Sequence, residues 1–244
     1  MKKVLALFAP ALLLLAPVGV AGAGTPVAAA VVAAPFDQTR DVSGFSGVAS
    51  SGSFDVYITT GGREGVKLVG DNDLLDKIET VVDGKTLHIR TKREYERDHI
   101  DFSGVKIYVT ARELDALTLS GSGKMRVDSP LKADAFNATV SGSGRIEAGR
   151  ITSNRLKATV SGSGGFDASG SAKETDITVS GSGGFNGKDF TAGDANVRVS
   201  GSGSVYLRAE NTLDGVLSGS GKIHYSGNAK VTERKSGSGR IIKT

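Results

Sequence analysis

From residue 36 onward, apolar and polar residues alternate in short runs. Leu117-Thr118-Leu119, Ala138-Thr139-Val140, Ala158-Thr159-Val160, Ile177-Thr178-Val179 and Val197-Arg198-Val199 all place apolar side chains at every second position. That is the period of a strand with one buried and one wet face. Each run leads into the string SGSG, which begins at Ser120, Ser141, Ser161, Ser180, Ser200, Ser218 and Ser236, at intervals of 18 to 21 residues. An apolar residue follows each string: Met125, Ile146, Phe166, Phe185, Val205, Ile223 and Ile241. A degenerate earlier copy is read at Ser51-Gly52-Ser53.

A repeat of this length is too short for a βαβ unit, which needs about 30 residues. It suits one coil of a solenoid, in which each coil pairs with the next and like residues fall into columns. The expected fold is therefore an all-β, single-stranded β-helix, with a β-sandwich as the alternative. Apolar columns would form the core. Thr118, Thr139, Thr159 and Thr178 would form an outward ladder beside two serine columns. The glycines would mark a bend or a close backbone approach that leaves no room for side chains.

Residues 36–116 read differently, as a β-rich capping half continuous with the repeat half, 117–244. Phe54-Asp55-Val56-Tyr57-Ile58, Val66-Lys67-Leu68-Val69, Leu87-His88-Ile89 and Val105-Lys106-Ile107-Tyr108-Val109 alternate as strands, with turn signals at Gly61-Gly62 and Asp83-Gly84. Residues 71–80 predict the one short helix, capped by Asp71 or Asp73, with Leu74, Leu75 and Ile78 on one face. Residues 91–101 form a charged excursion.

The order of these segments, from Phe45-Ser46-Gly47-Val48 through FDVYI, VKLVGDNDLLDKIET, TLHI and VKIYVT to repeated SGSG, closely resembles the head GIN domain family over about residues 40–244. The resemblance implies a β-helical exported bacterial domain with a link to autotransporter adhesion. It supplies no catalytic motif to carry over. The sequence stops within a repeat, at Arg240-Ile241-Ile242-Lys243-Thr244, with no translocator barrel, so self-export as an autotransporter is not expected.

Residues 1–23 read as a secretory signal: Lys2 and Lys3, an apolar run from Val4 to Val20, and the small-x-small site Ala21-Gly22-Ala23. An uncleaved anchor is disfavoured because Pro10 and Pro17 interrupt a run shorter than the ~20 residues of a spanning helix. A second cleavage site lies near Ala28–Ala30. Residues 24–35 read as a linker, or else as part of a first strand. The expected location is exported: periplasmic, outer-surface or secreted.

Composition narrows the chemistry. There is no cysteine, which excludes disulfides, thiolate metal sites and cysteine nucleophiles. Glycine is 34 of 244 residues, about twice the ordinary ~7%. There is no tryptophan, and aromatics are 6%, which counts against a deep sugar-cleaving cleft. Residues 36–119 hold 11 basic and 15 acidic side chains, and residues 120–244 hold 17 and 11. The repeat half is therefore basic, either as a solubilising surface or as a surface for an anionic glycan or envelope component. Nucleic acid is not expected in an exported chain without aromatic and basic residues interleaved.

No cofactor, metal or catalytic residue is expected. His88, His99 and His224 lie in unrelated contexts, and His99 sits among Glu94, Glu96, Asp98 and Asp101, where Lys92, Arg93 and Arg97 compete for the carboxylates. SGSG recurs without a following helix, so it is neither a nucleophile elbow nor a phosphate loop. Asp128, Glu147 and Asp167 fall at similar offsets before Asn186 and Leu207 break the line, which leaves a carbohydrate-active or carbohydrate-binding β-helix as the alternative. The expectation is a non-enzymatic surface interaction module. Its candidate contact residues are Arg145, Lys222 and Arg240, ahead of the ladder Thr118, Thr139, Thr159 and Thr178.

Overall fold

The computed structural model describes residues 36–98 and 100–244; the expected signal sequence, the expected linker and His99 lie outside the described residues. The N-terminal half forms β1 (Phe36–Arg40), β2 (Gly47–Gly52), β3 (Asp55–Thr60), β4 (Gly65–Gly70), α1 (Asn72–Leu75), β5 (Ile78–Asp83), β6 (Thr86–Thr91) and β7 (Lys106–Ala111). The repeat half opens with β8 (Ala116–Gly121), β9 (Lys124–Val127) and β10 (Leu131–Gly142). Then β11 (Arg145–Gly162), β12 (Gly165–Gly181), β13 (Gly184–Gly201) and β14 (Ser204–Gly219) each run almost a whole coil. The chain closes with β15 (Lys222–Ser226), β16 (Lys230–Ser236) and β17 (Arg240–Lys243).

Coil stacks on coil in parallel, and the register follows the repeat: Ser120, Ser141, Ser161, Ser180, Ser200, Ser218 and Ser236 are successive partners. The fold is the expected β-solenoid rather than a sandwich. Each SGSG string turns the chain from a first wall, which precedes it, to a second wall, which follows it. The reason lies in the glycines. Gly142, Gly162, Gly181 and Gly201 have φ between +103° and +113°, a region costly for residues with a Cβ. The carbonyl oxygen of Gly142 accepts hydrogen bonds from the backbone N–H of Ser163 (3.0 Å) and Gly164 (2.8 Å) in the next coil. A Cβ on Gly162 would lie 2.6 Å from that same oxygen. Inter-coil hydrogen bonding therefore continues around the corner only because the side chain is absent.

The core is built from columns. Met125, Ile146, Phe166, Phe185, Val205 and Ile223 are successive register partners and fully buried. Phe166 and Phe185 meet edge-on at 5.5 Å between ring centres. Among the described residues, the buried hydroxyls of Ser50, Ser153 and Thr175 lack a hydrogen-bond partner, so the core carries a few polar positions at a cost. In the last coil the inward columns change character. Glu233 follows Val197 and Gly215, and Lys235 follows Val199 and Leu217. Both are exposed, and they pair with each other at 3.5 Å.

The N-terminal half interleaves with this stack. β2 lies between β6 and β8, and β3 lies between β7 and β9, all parallel. Ser51 and Gly52 pair with Ser120 and Gly121, so the degenerate copy occupies a true coil position. Antiparallel pairings finish this end, β1 with β4, β4 with β7 and β5 with β6.

The helix is shorter than residues 71–80. Asp71 caps it, its side chain accepting from the Asp73 N–H at 2.9 Å, but only Asn72–Leu75 are helical. Ile78–Thr80 already belong to β5, because the β-branched Ile78, Thr80, Val81 and Val82 suit a strand and the turn at Gly84, φ +58°, sets them against β6. Strand β1 was not legible in the alternation. No helix among the described residues is long and apolar enough to cross a membrane.

Candidate functional site

The two expected contact sets sit on different walls. Thr118, Thr139, Thr159 and Thr178 are consecutive register partners on the first wall, and Arg198 and Val216 occupy the next two rungs. Arg145, Lys222 and Arg240 share one outward column of the second wall, which runs Arg145, Gly165, Gly184, Ser204, Lys222, Arg240. At about 4.8 Å per coil, Arg145 stands four coils from Lys222, whereas Lys222 and Arg240 are neighbours. The structure thus joins Lys222 to Arg240 and leaves Arg145 apart. Arg145 lies across Gly165 and binds Asp167, Nη1 to Oδ2 at 2.8 Å. Lys222 and Arg240 form no ion pair among the described residues.

The neighbouring outward column explains the acidic residues. It runs Arg126, Glu147, Asp167, Asn186, Tyr206, His224. Glu147 and Asp167 are therefore true neighbours. Asp128 lies two residues beyond Arg126, just past the end of β9, and Leu207 points into the core. The acidic line therefore ends at Asp167, where Asn186 takes the next rung.

Arg126, Glu147, Asp167 and Asn186 of this column line a groove of about 560 Å³ together with Asp128, Arg150, Lys188 and Asp189. Every carboxylate of the column is bound to a cation. Glu147 meets Lys124 at 2.7 Å and Arg126 at 4.0 Å, and Asp167 meets Arg145 while accepting from Asn186 Nδ2 at 2.9 Å. Asp128 meets Arg126 at 2.7 Å. The Glu147 hydrogen bond, then its charge, raises the pKa of Lys124, and Asp128 does the same for Arg126. These pairs are solvent-exposed and add little to stability. Arg150 takes φ +57° at the groove's lip, and its guanidinium donates to the Asp128 carbonyl at 2.8 Å.

Of the histidines, His88 faces out between Val81 and Ala49, and His224 stacks on Tyr206 at 4.5 Å with ring planes 9° apart. Lys188, from the coil on the other side, places Nζ 5.0 Å over the Tyr206 ring. No group of three or more histidine, aspartate or glutamate side chains among the described residues is disposed to hold a metal ion. The Tyr206 cluster escaped sequence reading, although counting six residues from each SGSG start would have aligned Tyr206 and His224.

Residues 44–229 match the sequence model of the family described as "Putative auto-transporter adhesin, head GIN domain". No curated protein matches the chain. Among solved structures, a "putative adhesin" of Bacteroides fragilis is 20% identical, with a TM-score of 0.80 over 86% of this chain and 97% of that one. A "putative lipid binding protein" of Parabacteroides distasonis is 24% identical, with a TM-score of 0.70 over 87% and 98%. A "putative adhesin" of the same organism is 21% identical, with a TM-score of 0.68 over 86% and 97%. At these identities the likeness is one of fold.

Proposed function

On the premise that the chain belongs to the head GIN domain family, we propose that it is an exported, non-enzymatic interaction module that adheres to acidic glycan or another anionic component of the cell envelope. The carrying observation is the adjacent pair Lys222 and Arg240, two outward cations on the second wall of the basic half that form no ion pair among the described residues. Such charges attract anionic polymers and are screened over about 8 Å at physiological ionic strength. Purified protein should therefore bind acidic polysaccharides at low salt and release them at high salt, leaving their chain length unchanged. Reversing Arg145, Lys222 and Arg240 to Glu should weaken retention, whereas replacing Thr118, Thr139, Thr159 and Thr178 with Ala should not. Salt-insensitive binding that vanishes with the threonines would overturn this order in favour of the ladder.

A second reading rests on the adjacency of Glu147 and Asp167 in the groove: a β-helical carbohydrate-active protein. Shortening of an acidic polysaccharide, abolished by Glu147→Gln or Asp167→Asn, would establish it. The ion pairs at both carboxylates favour the non-enzymatic reading.

A further inference from the structure

We propose that Tyr206 is the ridge of a built binding site for a carboxylate-bearing saccharide, centred on the second wall between Arg145 and Arg240. This rests on the adhesive reading above and gives it a location. Where Gly165 and Gly184 remove the side chains of the outward column, the wall drops into a depression of about 240 Å³ edged by Arg145, Asn186, Ser204 and Tyr206. A second depression of about 240 Å³ lies on the other side of Tyr206, edged by Lys188, His224, Ser226 and Thr244. One half-buried tyrosine thus divides two adjoining hollows.

Its ring is held by His224 on one side and by Lys188 on the other. A ring clamped this way loses little freedom when a ligand settles against it, which lowers the cost of binding. The groups around it are of two kinds. Ser204, Asn186 and the Tyr206 hydroxyl are neutral donors and acceptors, suited to sugar hydroxyls. Lys188 edges the second hollow, and Lys222 and Arg240 take the two rungs beyond Ser204; none forms an ion pair among the described residues, and such cations suit a carboxylate. The same geometry disfavours other ligands. Nucleobases need an open aromatic face to stack on, and both faces here are occupied. An acyl chain needs a long apolar cavity, and each hollow holds only about 240 Å³ and is edged by charged or hydroxyl-bearing side chains.

The test uses the purified chain with oligogalacturonate and its methyl-esterified form, which keeps the sugar ring and removes the charge. Binding is followed by NMR titration. Oligogalacturonate should shift the ring resonances of Tyr206 and His224. Tyr206→Ala should weaken binding at least tenfold, and Lys222→Ala and Arg240→Ala several-fold. Thr159→Ala, on the other wall, should change nothing. Tyr206→Phe, which preserves the stack, should retain more affinity than Tyr206→Ala and guards against misreading a folding defect. Salt-sensitive binding untouched by Tyr206→Ala would sink the site while sparing the general adhesive reading. Equal binding of the methyl ester would sink the acidic ligand, and no binding of oligogalacturonate at low salt would overturn the site, while retention of other acidic polysaccharides would still decide the general adhesive reading.

Discussion

At Gly162 the backbone takes φ +103° while an inter-coil carbonyl sits 2.6 Å from where a Cβ would be. Neighbouring Ser161 has the same sequence frequency and none of these constraints: it faces solvent. Gly162→Val should therefore cost about 3 kcal/mol or more, from overpacking of ~1–3 kcal/mol together with strained backbone of similar size. Ser161→Ala should stay within about 0.5 kcal/mol, as for surface substitutions generally. Urea midpoints of the two variants measure the difference, and equal shifts would show that the glycine column is not a close-packing feature. This much was legible beforehand, because a glycine repeated at fixed period signals a constraint on the backbone. The outward columns were less legible. Asp128 and Leu207 look equivalent to Glu147 when offsets are matched loosely. A one-residue slip moves a side chain to the opposite face, and a fixed count from each SGSG start is needed to set Tyr206 next to Asn186, as the pairing register does.

Among the elements, β1 and α1 depart most from expectation, and a single side chain connects them. Arg40 Nη1 donates to the Ile78 carbonyl at 2.7 Å and to Thr80 Oγ1 at 3.2 Å, while Nη2 donates to the Leu75 carbonyl at 3.0 Å and to Gln38 Oε1 at 3.2 Å. Partial burial lowers the pKa of its guanidinium, and Asp76 opposes that shift. Arg40→Ala should remove about 1.5–3 kcal/mol, the value of hydrogen bonds from a charged donor. Amide exchange should accelerate across Phe36–Arg40 and Ile78–Thr80 and stay unchanged in β12. Acceleration spread evenly over the molecule would contradict this local role. Neither element could be read fully from alternation. Phe36-Asp37-Gln38-Thr39-Arg40 has no apolar rhythm, because β1 is ordered by its long-range partner β4 and by Arg40 rather than by its own buried face. The helix signal over 71–80 was a strong cap followed by a leucine pair, and cross-strand pairing at Ile78 outweighed it.

For the whole molecule, stacking makes stability a sum of coil-to-coil interfaces. β11, β12 and β13 have a coil on each side, while β16 and β17 are paired on one side only. Hydrogen exchange should be slowest in the first group and fastest in the second, with a graded decline between them. Uniform protection would mean that the stack unfolds as one unit. The architecture was readable because the period is short and regular, whereas the threading of β2 and β3 between strands that come later in the chain leaves no local trace. Glu233 and Lys235 carry one further consequence. A stack of identical rungs is a one-dimensional crystal, and its open edge is a template for growth. Another chain adding there would have to strip water from this ion pair, at several kcal/mol per charge. The rung that carries Glu233 and Lys235 thus resists pairing at its outer edge, and concentrated protein should give no lag-phase polymerisation seeded there.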